Sequence, residues 1–285
     1  MGASIYLGKV LSAGTKGCNI ILPTVASFTG LLDTYPNASA AYSLRQLRTA
    51  YTGDAIRVRR SSDNTEQNIG FVNNVLDTAS LLTFCGAGNG FVTTWYDQSG
   101  NANNAIQTTA FNQPQIVSSG AMITTNGKNS ILFDANKLML LTSSVTAGAS
   151  SYTSFVGKRV SSGSRLIGLS RWSTNGYSLY LWSDNNYYYL GKTNSYLASS
   201  STDTTTNQLL LTGLNNTGTM SMFKNSNTIT SSPAVTVYST LVDAIGGASG
   251  NFSNSNLQEA ILYNSDQSTN RTGIETNINT FYTIY

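Results

Sequence analysis

Histidine is absent from the 285-residue chain. Without it there is no Ser-His-Asp or Cys-His relay, no His-ligated zinc and no imidazole pH switch. Charge is scarce as well. Asp, Glu, Lys and Arg make up 10% of the residues, against about 25% in an ordinary domain. A net charge of +3 is too small to point to nucleic acid as the main partner. The two cysteines, Cys18 and Cys85, match no metal-site spacing; one disulfide and two buried thiols both stay open. No apolar run approaches the ~20 residues of a membrane span. The Ala, Glu, Lys and Leu richness of a helical bundle is also missing. For chemistry there remain 13 carboxylates, the lysines, the tyrosines and the hydroxyls.

What is present in quantity is Ser, Thr and Asn, at 38, 36 and 30 residues. The polar surface is therefore built from hydroxyls and amides. Sixteen Tyr, ten Phe and three Trp are too many aromatics for a disordered chain, and supply a sizeable core. The first residues, MGASIYLGKVLSAGTKGCNIILP, lack the basic n-region and unbroken apolar h-region of a signal peptide. A hydroxyl-rich surface without such a leader suggests a protein released by lysis, as a virion component is.

Two apolar stretches, Ile5–Leu11 and Asn19–Val25, mark an N-terminal arm over residues 1–30. Residues 41–49 read as a short helix, with Leu44 and Leu47 on one face and Arg45 and Arg48 on another. Ala55–Arg60 alternates as a strand. A second helix spans 78–84, with Asp77 as its N-cap. From Phe91 onward short strands are cut by Gly, Asn and Ser turns. The clearest are 91–96, 130–134, 152–158, 177–182, 208–214 and 257–263. Their number and spacing predict an all-β sandwich. The chain ends in a helix over 268–282, where Ile274, Ile278, Phe281 and Tyr282 form one apolar stripe.

The segments YTGDAIRVRRSSDNTEQNIGF and LDTASLLTFCGAGNGFVTTWYDQSGNANNAIQTT, within 51–109, resemble the N-terminal sandwich domain of the fungal-type arabinofuranosidase B family. The shared pattern is an (I/L)x(V/L)xR strand, S-D-N/D-x-T, a helix ending in F-C, and a strand ending in Y-D-Q-S-G-N. With LLDTYPNASAAYSLRQL at the entry and LQEAILYNSDQSTNRTGIETNI at the exit, residues 31–285 resemble the concanavalin-A-like (LamG-type) jelly-roll domains of Bacteroidetes genomes and their phages. The resemblance implies a double-sheet jelly roll over 31–285.

A retaining glycosidase needs two carboxyl groups about 5–5.5 Å apart. In the family the nucleophile is a Glu in a D-M-E-N-N strand; Trp182-Ser183-Asp184 is the nearest stretch here, so Asp184 replaces it. The family's acid is an Asp directly after an I-G-G turn. Here Ile245-Gly246-Gly247 is followed by Ala248, which cannot protonate a leaving group. The family's helix-end disulfide lacks a partner too: Cys85 is present, and the other position holds Gly90.

The aromatic run Trp172, Tyr177, Tyr180, Trp182, Tyr187, Tyr188 and Tyr189, with Asp184, is the candidate ligand surface. Sugars stack on such faces, although aromatics in such a run serve a core or subunit interface more often than a glycan platform. Asp97 with Asn101, Asn103 and Asn104 reads as turn chemistry rather than a calcium site. Arg57, Arg59 and Arg60 read as a solvated face bridged to Asp54, Asp63 and Glu66, and Glu259 as an outward residue of an apolar strand. The sequence reading is thus a non-catalytic phage virion protein, a fibre, tail or capsid-decorating subunit and a homotrimer candidate. Its partners would be other virion proteins or a host glycan, with no cofactor, metal, nucleic acid or membrane insertion. The rivals are a bacterial carbohydrate-binding module and an arabinofuranosidase-like glycoside hydrolase.

Overall fold

The computed structural model describes residues 28–134, 136–171, 178–184, 187–192, 195–198, 205–232, 240–248 and 250–285. The N-terminal arm expected over 1–30 falls almost entirely outside them, as does Cys18. The main elements in chain order are α1 (Leu31–Thr34), β1 (Ala40–Ser43), β2 (Ile56–Arg60), β3 (Glu66–Ile69), α2 (Thr78–Cys85), β4 (Gly90–Trp95), β5 (Ala105–Ile106), β6 (Gln115–Ser118) and β7 (Ile131–Phe133). There follow β8 (Met139–Ala147), β9 (Ser150–Arg159), β10 (Leu166–Arg171), β11 (Ser178–Ser183), β12 (Tyr188–Lys192), β13 (Ser195–Ala198), β14 (Leu209–Asn216), β15 (Thr219–Lys224), β16 (Asn227–Ser232), β17 (Thr240–Ile245), β18 (Ser255–Tyr263) and α3 (Arg271–Tyr282).

The strands make two antiparallel layers. One runs β1-β18-β9-β14-β15-β16, with Phe155 of β9 opposite Ala260 and Leu211. The other runs β3-β2-β4-β5-β8-β17-β10-β11-β12-β13. The layers are joined at a corner through β6 and β7. Alternation sends every second residue inward, so Phe155, Leu211 and Leu257 meet Val58, Trp95, Leu169, Leu181 and Leu190 in one core. This is the all-β sandwich expected from the strand spacing, in the jelly-roll form that the resemblance implied. Among the described residues no helix is long and apolar enough to cross a membrane.

Two of the three expected helices form. The Asp77 carboxylate accepts from the Ser80 amide at 3.0 Å and caps α2. In α3, Ile274, Ile278 and Tyr282 are buried against Tyr152, Val156, Leu210 and Ile261, on the outside of the first layer. The third, at 41–49, does not. Ala40–Ser43 pairs with β18 instead, and Leu44 enters the main core while Leu47 enters the cluster under α3. Two leucines drawn to opposite sides of a sheet cannot share a helix face. Gln98 satisfies this irregular path, accepting from the Leu47 amide and donating to the Ser43 and Arg45 carbonyls.

Candidate active site

The β11–β12 hairpin builds the aromatic surface. Leu181, Leu190 and Tyr188 turn into the core. Trp182 and Tyr189 are cross-strand partners and stack with centroids 4.2 Å apart and planes 11° apart. Tyr187, 39% exposed, meets Tyr189 edge-on at 6.0 Å. Asp184 sits at the end of this stack. Its Oδ1 accepts from the Tyr187 amide at 2.8 Å and its Oδ2 from the Tyr189 hydroxyl at 3.0 Å. The carboxylate is thereby held in one orientation beside two aromatic faces.

Below the hairpin lies Arg159, the last residue of β9 and 1% exposed. Its guanidinium donates to Ser183 Oγ at 2.7 Å, the Asp184 carbonyl at 3.0 Å and the Thr205 carbonyl at 3.2 Å. A buried cation fixing three acceptors makes the turn rigid. Reading the sequence did not single out Arg159; an Arg at the inward-facing end of the strand TSFVGKR, in phase with Phe155, was the only signal.

Position 248 comes to the same place. Gly246 adopts φ 80°, and a Cβ there would lie 2.1 Å from the Phe133 ring, so this turn accepts only glycine. It directs Ala248 into a small cluster with Ile167 and the half-buried Trp182. Ile167 is also the cross-strand neighbour of Trp182. Asp184 and Ala248, distant in the chain, thus share the Trp182 neighbourhood. Ala248 is fully buried and contributes a methyl group.

Of the sequence candidates, Trp182, Asp184 and Tyr187 are brought together here. Trp172 and Tyr177 lie outside the described residues, and of Tyr180 only the backbone, on β11, is described. Asp97 is a loop hub: its oxygens accept from the amides of Ala41, Ser99 and Asn103 and from the Ser99 hydroxyl. Among the described residues no group of three or more Cys, Asp or Glu is gathered to hold a metal ion. Arg57 pairs with Glu66 and Arg60 with Asp63, both at 2.6 Å, as read from the sequence. Arg59 instead bonds Gln113 and Asn64. Glu259 corrects its expectation. It does leave the core face, but α3 covers it, leaving it 1% exposed and paired with Arg45 at 2.8 Å. Cys85 is a buried free thiol. A Cβ on Gly90 would stand 2.7 Å from its sulfur.

A family model described as α-L-arabinofuranosidase B, catalytic, matches residues 33–164. A probable α-L-arabinofuranosidase B of Aspergillus flavus is 33% identical over 133 residues, covering 40% of this chain and 26% of the relative. The α-L-arabinofuranosidase B of Aspergillus oryzae matches at the same identity and coverage. The chain spans about a quarter of the length of these curated relatives. Among solved structures, an α-L-arabinofuranosidase soaked with a cyclic sulfate inhibitor superposes with a TM-score of 0.65 at 16% identity, covering 85% of this chain and 62% of that one. An arabinofuranosidase complexed with arabinofuranosyl-α-1,2-xylobiose gives 0.59 over the same shares. These likenesses bear on the fold. They overturn the placement among LamG-type phage domains and the virion reading with it, because the matches lead to arabinofuranosidase B. The inclination against catalysis, which rested on Ala248 alone, is overturned by the same matches.

Proposed function

We propose that this chain is the sandwich domain of a glycoside hydrolase acting on α-L-arabinofuranosyl linkages. The observation that carries the reading is spatial. Asp184 and residue 248, the positions that resemblance equates with nucleophile and acid, meet at one aromatic stack on a sandwich that superposes on arabinofuranosidases. The stacked Trp182 and Tyr189 offer a flat apolar edge for a sugar ring, and Asp184 supplies the carboxylate.

In this reading Asp184 attacks the anomeric carbon as the bond to the leaving oxygen breaks, giving a glycosyl ester that water then hydrolyses. The Tyr187 amide and Tyr189 hydroxyl orient the attacking oxygens, and Arg159 holds the turn from beneath. Asp is one methylene shorter than the family's Glu, so the sugar must sit closer to the hairpin. With a methyl at 248, that residue donates no proton to the leaving group. Substrates with acidic leaving groups, such as aryl glycosides, are therefore cleaved far better than alkyl glycosides.

The test is release of 4-nitrophenolate from 4-nitrophenyl α-L-arabinofuranoside by the purified chain. Asp184→Asn should lower kcat/KM by about 10⁴-fold or more. A wild-type chain with no release above buffer, or a variant as active as wild type, would sink the reading.

A further inference from the structure

Arg159 points into the sandwich toward Asp184, and its neighbour Lys158 points the other way, onto the face of β9 that carries Val156 and Tyr152 beneath α3. There Lys158 lines a cavity of about 400 Å³, within the size range of ligand sites. We infer that this cavity is a second saccharide site, on the side of the molecule away from Asp184, and that it takes a sugar bearing a carboxylate, of the hexuronate class.

The chemistry of the lining supports this. Around Lys158 stand Thr125, Asn126, Asn207, Gln208 and Asn225, an amide and hydroxyl surface without an acidic side chain. The half-buried Lys158 ammonium has no hydrogen-bond or ion-pair partner among the described residues. A cation recessed among neutral amides favours an anion. The site is also held in place. Asn126 donates to the Tyr282 and Thr283 carbonyls. Asn225 Oδ1 accepts from the Leu210 amide, which leaves its Nδ2 unused. The Gln208 amide is oriented by Gln258, which itself donates to three carbonyls, of Thr125, Lys128 and Asn129. That orientation leaves Gln208 Oε1 buried without a donor. Asn256, directly across from Lys158 on β18, has its Oδ1 in the same state. The site therefore presents one cation for a carboxylate, the free Asn225 Nδ2 donor, and the side-chain amides of Asn126 and Asn207 for hydroxyls. A hydroxylated acid uses all three, whereas a bare anion uses only the first two.

Titration calorimetry with glucuronic acid, glucose and inorganic phosphate tests this. Glucuronic acid should bind about tenfold or more tighter than glucose and than phosphate, since a charge-assisted bond is lost in one and the hydroxyls in the other. Lys158→Gln should abolish the preference over glucose, and Asn207→Ala, on the exposed rim, should weaken glucuronic acid several-fold even if Lys158→Gln folds poorly. Asp184→Asn should bind glucuronic acid as wild type does, whether or not the chain hydrolyses arabinosides. Equal binding of glucose, phosphate as tight as glucuronic acid, unchanged binding in both cavity variants, or loss of binding in Asp184→Asn would each overturn the assignment.

Discussion

Ala248 is the residue on which the proposed chemistry turns. It occupies a fully buried position against Ile167 and Trp182, and Trp182 stacks on the Tyr189 ring whose hydroxyl donates to the Asp184 carboxylate. A positioned general acid contributes about 10²–10⁴-fold. Ala248→Asp should therefore raise hydrolysis of methyl α-L-arabinofuranoside by about that factor, with far less effect on the 4-nitrophenyl substrate. The ratio of the two kcat/KM values reports it, and an unchanged ratio would show that residue 248 does not face the leaving group. The variant should also melt lower, since a carboxyl group enters an apolar cluster. Asp184 and Ala248 were legible as residues from motif position. Their convergence on Trp182 was not, because it depends on how β10, β11 and β17 pair.

At the level of elements, the end of α2 and the start of β4 keep the geometry of a cross-link they do not make. The Cβ expected on Gly90 lies 2.7 Å from the Cys85 sulfur, and a disulfide brings each Cβ to about 3 Å from the far sulfur. Gly90→Cys should form the bond in oxidising buffer and add about 2 kcal/mol for so short a loop; thiol titration and melting with and without reductant measure both. The docking of α3 depends on a buried pair. Arg45 donates to both Glu259 oxygens, at 2.8 and 2.9 Å, and to Asn277. Ser43 and Tyr282 complete the Glu259 shell, and the guanidinium lies 5.0 Å above the Phe281 ring. Arg45→Met strands a carboxylate in a dry interface and should cost about 3–5 kcal/mol in urea denaturation, with much of it recovered in Arg45→Met/Glu259→Leu. The apolar stripe of α3 could be read from its spacing. The polar clamp beneath could not, since Arg45 and Glu259 belong to segments far apart in sequence.

For the whole molecule the absence of histidine shapes the response to pH. Burial works to raise the Asp33 carboxyl, but hydrogen bonds from the Thr49 hydroxyl and amide and the Gly30 amide outweigh it and lower it. The Ser80 hydroxyl and amide lower Asp77, and Arg60 holds Asp63 far down. A carboxyl depressed by folding stabilises above its ordinary value of 3.8 and loses that contribution as pH falls through the folded value. The phenols shift the other way, because for them burial prevails: Tyr51 rises to about 12, and Tyr42 and Tyr282 stand well above their ordinary value of 10.0. Their contribution is intact below that value and declines as pH climbs beyond it. The urea midpoint should thus be level from about pH 5 to 8, falling below about pH 4 and above about pH 10. A step near pH 6.5 would contradict this account.

Local pattern was enough for the sandwich class, most strands, the Asp77 cap, the apolar face of the last helix and a basic strand bridged to nearby carboxylates. Each of these depends on neighbours in the chain or on a period of two or 3.6 residues. Leu44 and Leu47 obeyed the helical spacing and were nonetheless split between two cores, because pairing with β18 outweighs a weak local preference. The concealment of Glu259, the reach of Arg159 to Asp184 and the meeting of Asp184 with Ala248 come from strand order and the closing of α3 over the sheet. Those are contacts between distant segments, and no local pattern encodes them.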